Sequence, residues 1–399
     1  MLPEGWTTTE VGKLATFKSG GTPSKMNTDY WGGSYPWISG KDLKQHYLAS
    51  SIDTLTKAGF ESTNVAPIGS SLILVRGMTL LKDFPVGFAT RPVAFNQDIK
   101  ALIPNEDVDG LFLSYLLVAH KDEIRQLVST AGHGTGRLET ERIRSFPVKV
   151  PVYLEQKKIA QILSTWDKAI TTTERLIDLA RQQKKALMQQ LLTGKKRLLD
   201  KNGIKFSVEW KDIRLKSVLR EVKTRNKDNS IDRVLSVTNH SGFVLPEDQF
   251  SKRVASDDVS NYKVVKKGQY GYNPSRLNVG SFARLDSYEE GLLSPMYVVF
   301  TVNEQLLNSD YFMNWMGSNE AKQRISGSTQ GSVRDSVGFD SLCGFPFKLP
   351  PIAEQQKIAA VLSSADQEIT ALQQKLDALK QEKKALMQQL LTGKLRVQI

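Results

Sequence analysis

The stretch KKALMQQLLTGK occurs twice in this chain, at residues 184–195 and again at residues 383–394. The same offset of 199 residues aligns Glu155-Gln156 with Glu354-Gln355. An identical twelve-residue run at a constant offset indicates an internal duplication, and such repeats govern the prediction of the whole fold. The two copies therefore predict two structurally equivalent segments.

Each copy lies at the end of a long predicted helix. Apolar residues step alternately by four and three positions, which is the seam of a heptad repeat. The seam residues are Ile159, Leu163, Trp166, Ile170, Thr173, Ile177 and Ala180 in the first copy, and Ile358, Leu362, Ala365, Ile369, Leu372, Leu376 and Leu379 in the second. Pro151 and Pro351 predict the helix starts, and Gly194 and Gly393 predict the ends. Each helix is expected to run roughly 40 residues, or about 60 Å.

The two helices are predicted to pair with each other in antiparallel orientation. Each has an apolar stripe to bury, and parallel pairing would force the segment between them to cross about 60 Å. We therefore predict an α+β fold, in which two mixed α/β domains are separated by two long helices that form an antiparallel coiled coil with pseudo-two-fold symmetry. The predicted boundaries are 1–150 for the first domain, 151–197 for the central helix, 198–350 for the second domain and 351–399 for the C-terminal helix.

The two globular domains share a plan but differ in most residues. Predicted strands include 71–75 and 99–103 in the first domain, and 234–237 and 296–301 in the second. A helix-like stretch follows in each, at 111–127 and at 311–325, and then a loop rich in Gly, Ser and Thr. Closely matched helices combined with divergent domains indicate a common frame that carries two different binding modules.

The composition favours a polyanionic partner. The chain has 54 Lys and Arg against 42 Asp and Glu, which gives a net charge of +12 at pH 7. Such an excess is typical of nucleic-acid-binding proteins. Cys343 is the only cysteine, so a disulfide framework and a thiolate zinc site are excluded.

Neither a signal sequence nor a membrane span is predicted. The first residues, MLPEGW, lack a basic segment followed by an apolar run. No stretch approaches the roughly 18 uninterrupted apolar residues of a spanning helix. We therefore expect a cytoplasmic protein without membrane association.

Motifs along the whole chain resemble the specificity subunit (HsdS) family of type I restriction–modification systems. The most specific are LEQKKIA at 154–160 and AEQQKIA at 353–359, together with the two LLTGK helix ends. SGGTPS at 19–24, YPWISG at 35–40, NQDI at 96–99 and YNPSR at 272–276 are also similar to that family. Each motif alone is weak, and their combination in this order is specific.

The resemblance implies a sequence-specific subunit that binds double-stranded DNA and has no catalytic centre of its own. Each globular domain would be a target-recognition domain that reads one half of a bipartite DNA sequence, and the helices would set the spacer between the halves. The helices would also dock two modification (methyltransferase) subunits, which restriction (translocase-nuclease) subunits join. This chain would bind no cofactor, since S-adenosylmethionine, ATP and Mg²⁺ belong to the partner subunits.

Candidate DNA contacts in the first domain lie in loops of small and basic residues. Backbone donors and short side chains there can reach phosphate, although an ordinary turn-rich loop explains the same composition. Trp37 is predicted to belong to the core rather than to the interface. The candidates are Ser19, Gly20, Gly21, Thr22, Ser24, Lys25, Lys41, Arg76, Gly134, Thr135 and Arg137.

In the second domain the preferred base-reading loop is YNPSRLN at 272–278. Arginine can fork onto guanine and asparagine onto adenine, whereas the alternative is a structural turn set by Asn273-Pro274. Arg76 is interpreted as the analogous residue of the first domain. The candidates are Tyr272, Asn273, Ser275, Arg276 and Asn278, and in the Gly-rich loop at 327–334 also Gln330, Ser332 and Arg334.

Other functions remain as alternatives. The chain is also compatible with the recognition subunit of another methyltransferase-nuclease system of the same split design, or with a coiled-coil adaptor that binds proteins. A stand-alone modification enzyme is disfavoured, because Asn273-Pro274 lacks the second Pro and the aromatic residue of an amino-methyltransferase motif. The sequence has no Gly-x4-Gly-Lys-Ser/Thr loop, and its four histidines show no metal-ligand spacing. We predict neither catalytic residues nor a metal site.

Overall fold

The computed structural model describes residues 3–131, 134–246, 258–329 and 336–398. The chain divides into two compact units. Unit 1 comprises Met1–Glu174 and Gln374–Ile399, and unit 2 comprises Arg175–Gln373. Each unit therefore contains a globular part together with segments of both long helices.

Unit 1 begins with a globular part of short strands and helices. Its elements are β1 (Thr7–Glu10), β2 (Ala15–Ser19), β3 (Trp31–Ile38), β4 (Tyr47–Leu48), β5 (Thr54–Leu55), α1 (Lys57–Glu61), β6 (Val65–Ala66), β7 (Ser71–Leu74), β8 (Arg76–Gly77), β9 (Val86–Ala89), β10 (Val93–Phe95), β11 (Ile99–Pro104), α2 (Gly110–Ala119), α3 (Lys121–Arg125), β12 (Ser129–Ala131), β13 (Thr135–Arg137), α4 (Thr140–Arg144) and β14 (Pro147–Val150). The long helix α5 (Tyr153–Leu191) follows.

The core of unit 1 lies between a mixed sheet and helices. The sheet has the strand order β2-β11-β7-β9-β4, and a second sheet has the order β5-β3-β10-β6. Apolar residues of α2 are buried in the same cluster as Ile159 and Leu163 of α5 and Leu390 of the C-terminal helix. The long helices therefore belong to the hydrophobic core of this unit.

Unit 2 follows the same general plan, in which strands come first and are followed by short helices, a last strand and a long helix, but it lacks counterparts of α1, β12 and β13 among its described residues. Its elements are β15 (Lys211–Arg214), β16 (Leu219–Glu221), β17 (Ser236–Thr238), β18 (Gly242–Val244), β19 (Lys263–Lys266), β20 (Tyr270–Tyr272), β21 (Phe282–Arg284), β22 (Glu290–Leu293), β23 (Val298–Val302), α6 (Ser309–Met316), α7 (Asn319–Thr329), α8 (Phe339–Cys343), β24 (Pro346–Leu349) and the long helix α9 (Ile352–Leu390). Aromatic side chains of β20, β23 and α6 fill its core together with Leu191 and Leu362 of the long helices.

The predicted heptad seams are buried where the helices pack. Ile159, Leu163 and Ile177 of α5 and Ile358 and Leu362 of α9 are all nearly inaccessible to solvent. Three residues after its last helical residue, each helix is followed by a glycine with left-handed backbone, with φ of +71° at Gly194 and +72° at Gly393. Only glycine adopts this conformation readily at a helix C-terminus, which accounts for the Leu-Leu-Thr-Gly endings.

Ion pairs within each unit establish the antiparallel orientation. In unit 1, Asp167 pairs with Lys383, and Glu174, further along α5, pairs with Lys380, which comes earlier on α9. In unit 2, Lys184 pairs with Asp366, and Arg197, further along the chain, pairs with Glu354, which comes earlier on α9. Asp167–Lys383 and Asp366–Lys184 are the same pair shifted by 199 residues with the partners exchanged. The antiparallel prediction is confirmed within both units.

The Glu-Gln motif at each helix start forms a joint with the globular part. The Gln156 amide donates to the Pro151 carbonyl at 3.0 Å and accepts from the Asp109 backbone N–H at 3.0 Å. Asp109 is the N-cap of α2. Gln355 accepts in the same way from the Asn308 N–H at 2.8 Å, and Asn308 caps α6. Each glutamine therefore attaches a helix of the globular part to a long helix.

The structure corrects two predictions of local structure. The predicted helix at 111–127 is interrupted at His120, where α2 ends and α3 begins, and the helix at 311–325 is interrupted between Met316 and Asn319. Gly327 was predicted to begin a loop, but α7 continues to Thr329. The prediction of a loop was based on the Gly-rich composition of this stretch. The helix that packs Ile325 into the core nevertheless continues through Gly327 and Ser328 to Thr329.

Candidate nucleic-acid interface

The predicted contact residues differ in their access to solvent. Those whose side chains or backbones are exposed are Ser19, Thr22, Ser24, Lys25, Lys41, Arg76, Gly134, Arg137, Ser275, Arg276 and Asn278. Gly20, Gly21, Thr135 and Asn273 are half-buried, and Tyr272 is buried. Gln330, Ser332 and Arg334 lie outside the described residues.

The loop at residues 19–25 is attached to the fold along its inner side. A Cβ at Gly20 would lie 2.1 Å from the Asn96 carbonyl oxygen, so only glycine fits there. The Gly21 N–H donates to the Phe95 carbonyl at 2.9 Å, and the Thr22 hydroxyl donates to Gln97 Oε1 at 2.5 Å. The two glycines thus hold the loop against β10, and the polar groups of Ser24 and Lys25 remain at the surface.

Trp37 supports this loop from below. Its ring is 5% exposed, which confirms the prediction that it belongs to the core, and its Nε1 donates to the Gly21 carbonyl at 3.0 Å. Trp31 Nε1 donates to the Ser24 carbonyl at 3.1 Å, and the Lys25 ammonium lies 5.9 Å from the Trp31 ring centroid. Trp31 and Trp37 therefore hold the loop in position, and the Lys25 ammonium lies over the Trp31 ring.

Arg76 and Arg137 are adjacent in a sheet of unit 1. β13 pairs with β8 in antiparallel register, with Arg137 opposite Arg76 and Gly136 opposite Gly77. The two arginines are 61 residues apart in sequence, and both are exposed. The fold thus brings together two cations that were predicted separately.

In unit 2 the loop at 272–278 forms a tight turn that displays three polar side chains. Residues Pro274–Val279 form a 3₁₀ helix, which ends at Gly280 with a φ of +91°. Leu277, 3% exposed, anchors the turn in the core. Ser275, Arg276 and Asn278 point to solvent around this anchor. The turn is a rigid platform for side chains that reach outward.

Tyr272 and Asn273 support the turn instead of being displayed on it. Tyr272 is 0% exposed and has no hydrogen-bond partner for its hydroxyl among the described residues, and burial raises the pKa of this hydroxyl. Asn273 Oδ1 accepts from the Ser275 N–H at 3.0 Å, which caps the 3₁₀ helix. Asn273 therefore has the role of a structural turn residue, which was the alternative interpretation of Asn273-Pro274. Tyr272 does not lie at the surface.

A cleft of about 560 Å³ lies beside the same turn. Its polar lining residues are Asn239, His240, Asn278 and Lys322, and Leu277 and Met316 contribute apolar walls. Such a mixture of an apolar floor with a few hydrogen-bonding groups suits the edge or face of a base. The sequence did not single out Asn239, His240 or Lys322, because 82 residues separate His240 from Lys322 and no shared motif connects them.

A second polar cluster, also missed from the sequence, connects the globular part of unit 1 to the long helices. Asp167 accepts from Lys383 Nζ, from the Tyr115 hydroxyl at 2.5 Å and from the Tyr47 hydroxyl at 3.3 Å. Burial raises the pKa of Tyr47 to about 12. His46 stacks on Tyr115 with 5.1 Å between ring centroids, and burial lowers the pKa of His46 to about 4, so the imidazole is neutral at pH 7.

Two further features concern the described part of the chain only. None of its helices is long and apolar enough to cross a membrane. Across residues 3–131, 134–246, 258–329 and 336–398, three or more His, Cys, Asp or Glu side chains are nowhere grouped so that they could hold a metal ion.

Comparison with protein families assigns most of the sequence. The model of a family described as type I restriction modification DNA specificity domain matches residues 3–181 and 275–381. The matched ranges include the loop at 19–25, the Arg76–Arg137 pair and residues 275–279 of the turn in unit 2. They also include the starts of both long helices.

Individual relatives and structures agree with that match. The chain is 32% identical over 160 residues to the type I restriction enzyme EcoR124I/EcoR124II specificity subunit of Escherichia coli, a match that spans 39% of this chain and 40% of that relative. It is 23% identical over 420 residues to the MjaVIII specificity subunit of Methanocaldococcus jannaschii, spanning 99% of this chain and 94% of the relative. The crystal structure of a type I restriction-modification S subunit from M. genitalium has the same fold, with a TM-score of 0.58, 14% identity and 98% of each chain covered.

Proposed function

Because this chain belongs to the type I restriction–modification DNA specificity family, we propose that it selects the DNA target of such an enzyme by reading two separate half-sites. Specificity subunits of type I systems are themselves non-catalytic. The single observation that carries the two-reader proposal is the duplicated plan, in which each unit has its own core and its own exposed polar turn.

Two different readers suit an asymmetric target. A symmetric protein dimer reads a palindrome because both of its reading surfaces are the same. Among the predicted contacts, Ser24, Lys25 and Lys41 are exposed in the first globular part, whereas Ser275, Arg276 and Asn278 are exposed in the second. Different donors and acceptors select different base edges, so the two half-sites are expected to differ in sequence.

The long helices serve as the frame for assembly. In the proposed complex they separate the two readers and dock two modification subunits, which bind S-adenosylmethionine and methylate the DNA. Restriction subunits, which use ATP and Mg²⁺, join this core. Two apolar side chains that remain exposed within one turn of α5 support docking there, namely Leu176 at 44% and Leu179 at 50% exposure. Contiguous exposed apolar side chains are typical of a protein interface.

Exchange of one globular part tests the two-reader proposal. Replacing residues 1–150 with the corresponding segment of a relative should change one half-site and leave the other and the spacer intact, and replacing 205–345 should do the converse. The motif methylated in cells that carry each chimaera with its modification subunits is read by methylome sequencing. A chimaera that rewrites both half-sites contradicts independent reading.

The exposed turn of unit 2 gives a second prediction. Arg276→Ala should relax reading at one position of a single half-site, with a loss of discrimination of about 1–3 kcal/mol if the guanidinium forks onto guanine. Arg276→Lys is the matched control, because lysine keeps the charge but lacks the planar fork. Loss of base preference in both variants indicates base reading. Rescue of binding by lysine with unchanged preference assigns Arg276 to phosphate instead.

A further inference from the structure

Two arginines lie side by side on the outward face of a small sheet in unit 1. The sheet has the strand order β12-β13-β8. Its register places Ser129 opposite Arg137 and Arg137 opposite Arg76, so the three residues form one row across the strands. Residues directly opposite each other share a face, with Cβ atoms about 4.5–5.5 Å apart. The two arginine side chains therefore leave the sheet from neighbouring positions on the same face.

Neither guanidinium is neutralised by the part of the protein that the structure describes. Both side chains are exposed, and neither has an ion pair or a side-chain hydrogen bond with a described residue. Glu139, two residues from Arg137 in sequence, is already paired with Arg142. Like charges directly opposite each other destabilise a strand pair, so this arrangement favours an external anion.

Packing on the inner side of the same sheet fixes the strands that carry the two arginines. Gly136 is buried, and a Cβ there would lie 2.9 Å from Leu80 Cβ and 3.2 Å from the Gly77 carbonyl oxygen. Glycine at this position lets the strand pack directly on the core. The Ser129 hydroxyl donates to the Arg137 carbonyl at 3.2 Å, which holds the third strand in place. The cations thus project from a fixed backbone and not from a free loop.

We infer that Arg76 and Arg137 together bind one backbone phosphate of the DNA. This inference rests on the proposed function. A phosphate between the two guanidinium groups removes their repulsion and accepts paired hydrogen bonds from each planar fork. A neutral base edge would leave the repulsion in place. Arg76 is thereby assigned to the DNA backbone, in place of the base-reading role expected by analogy with Arg276.

The test measures how DNA affinity depends on salt. The full chain is purified with its modification subunits, and binding is measured between 50 and 200 mM NaCl for a duplex with the methylated motif and for one with both half-sites scrambled. The variants are Arg76→Gln, Arg137→Gln and the double variant. Lys57→Gln removes an exposed charge that already pairs with Glu61, and it serves as the matched control. Thermal melting confirms that each variant is folded.

A shared phosphate gives a distinctive pattern. Each phosphate contact contributes about 0.9 to the slope of log affinity against log salt. Because the phosphate keeps one guanidinium partner in either single variant, each single variant should lose less than one unit of slope on both duplexes. The double variant should lose about one unit, so that the wild type weakens roughly threefold to fourfold more than the double variant across this salt range. The methylated motif should stay the same, and Lys57→Gln should behave as the wild type.

Three results overturn the inference. A double variant that loses about two units of slope shows two separate phosphates, and a double variant with an unchanged slope shows no contact. An altered first half-site shows base reading. Failure of the wild-type complex to prefer its motif contradicts the proposed function alone. In that case the slopes measured on the scrambled duplex still test whether Arg76 and Arg137 share one phosphate.

Discussion

Replacing Glu354 with alanine is expected to destabilise unit 2 by about 3–5 kcal/mol, because it breaks a buried ion pair. The Glu354 side chain is 0% exposed and accepts from Arg197 Nε at 2.6 Å and from an Arg197 terminal nitrogen at 2.8 Å. Trp210 Nε1 donates to the same carboxylate at 2.9 Å. Alanine would leave the Arg197 guanidinium, only 18% exposed, without its counter-ion.

The duplication supplies a matched comparison. Glu155 is equally buried and pairs with Arg396 at 2.8 and 2.9 Å. Arg396 is 40% exposed, so water can solvate it when the carboxylate is removed. Trp6 Nε1, the counterpart of Trp210 Nε1, has no hydrogen-bond partner in the described part of the chain. Glu155→Ala should therefore cost less than Glu354→Ala.

Calorimetry of the full chain measures both effects. For a unit of roughly 200 residues each kcal/mol lowers the melting temperature by about 2–4 °C, so Glu354→Ala should lower it on the order of 10 °C. Glu289→Ala is the control, since Glu289 is 82% exposed in its pair with Lys267 and such pairs contribute at most about 1 kcal/mol. Equal shifts for Glu354→Ala and Glu289→Ala would refute the structural role of the buried pair.

The long helices were predictable from sequence because their signals are local and repeated. A heptad seam needs only the spacing of apolar residues, and the endings at Gly194 and Gly393 need only a residue that adopts positive φ. Because the two repeats pair in antiparallel orientation, an ion pair between them recurs with the roles of the two helices exchanged. Asp167–Lys383 and Lys184–Asp366 are such a pair of equivalent contacts. Local pattern and topology together determine this part of the fold.

The contacts that organise the surface were not predictable in the same way. Gln156 was recognised as part of a repeated motif, but its partner Asp109 is 47 residues away, and Glu155 and Arg396 are 241 residues apart. Arg76 and Arg137 become neighbours only through strand register. Tyr272 looked like a displayed aromatic residue beside an Asn-Pro turn, yet β20 is buried along its whole length. Burial and register depend on the assembled sheet, which a single sequence does not specify.

Lengthening both long helices by one heptad is expected to enlarge the unread spacer of the DNA target by about three base pairs. We would insert seven residues after Thr173 and seven after Leu372, which are equivalent positions of the two repeats. A whole heptad keeps each seam facing its partner. At 1.5 Å per residue the helices grow by about 10 Å, and one base pair occupies about 3.4 Å. Both half-site sequences should stay the same.

The helical twist of DNA makes the size of the insertion a further test. Three base pairs rotate one half-site by nearly a third of a turn, since a turn takes about 10 base pairs, so one heptad should reduce activity. Three heptads add about 31 Å, or about nine base pairs, which returns the half-site almost to its original face and should restore activity. Insertions of four residues move the seam out of register and serve as the control. The spacer in the methylated motif is the readout, and an active variant with an unchanged spacer would show that the helices do not set this distance.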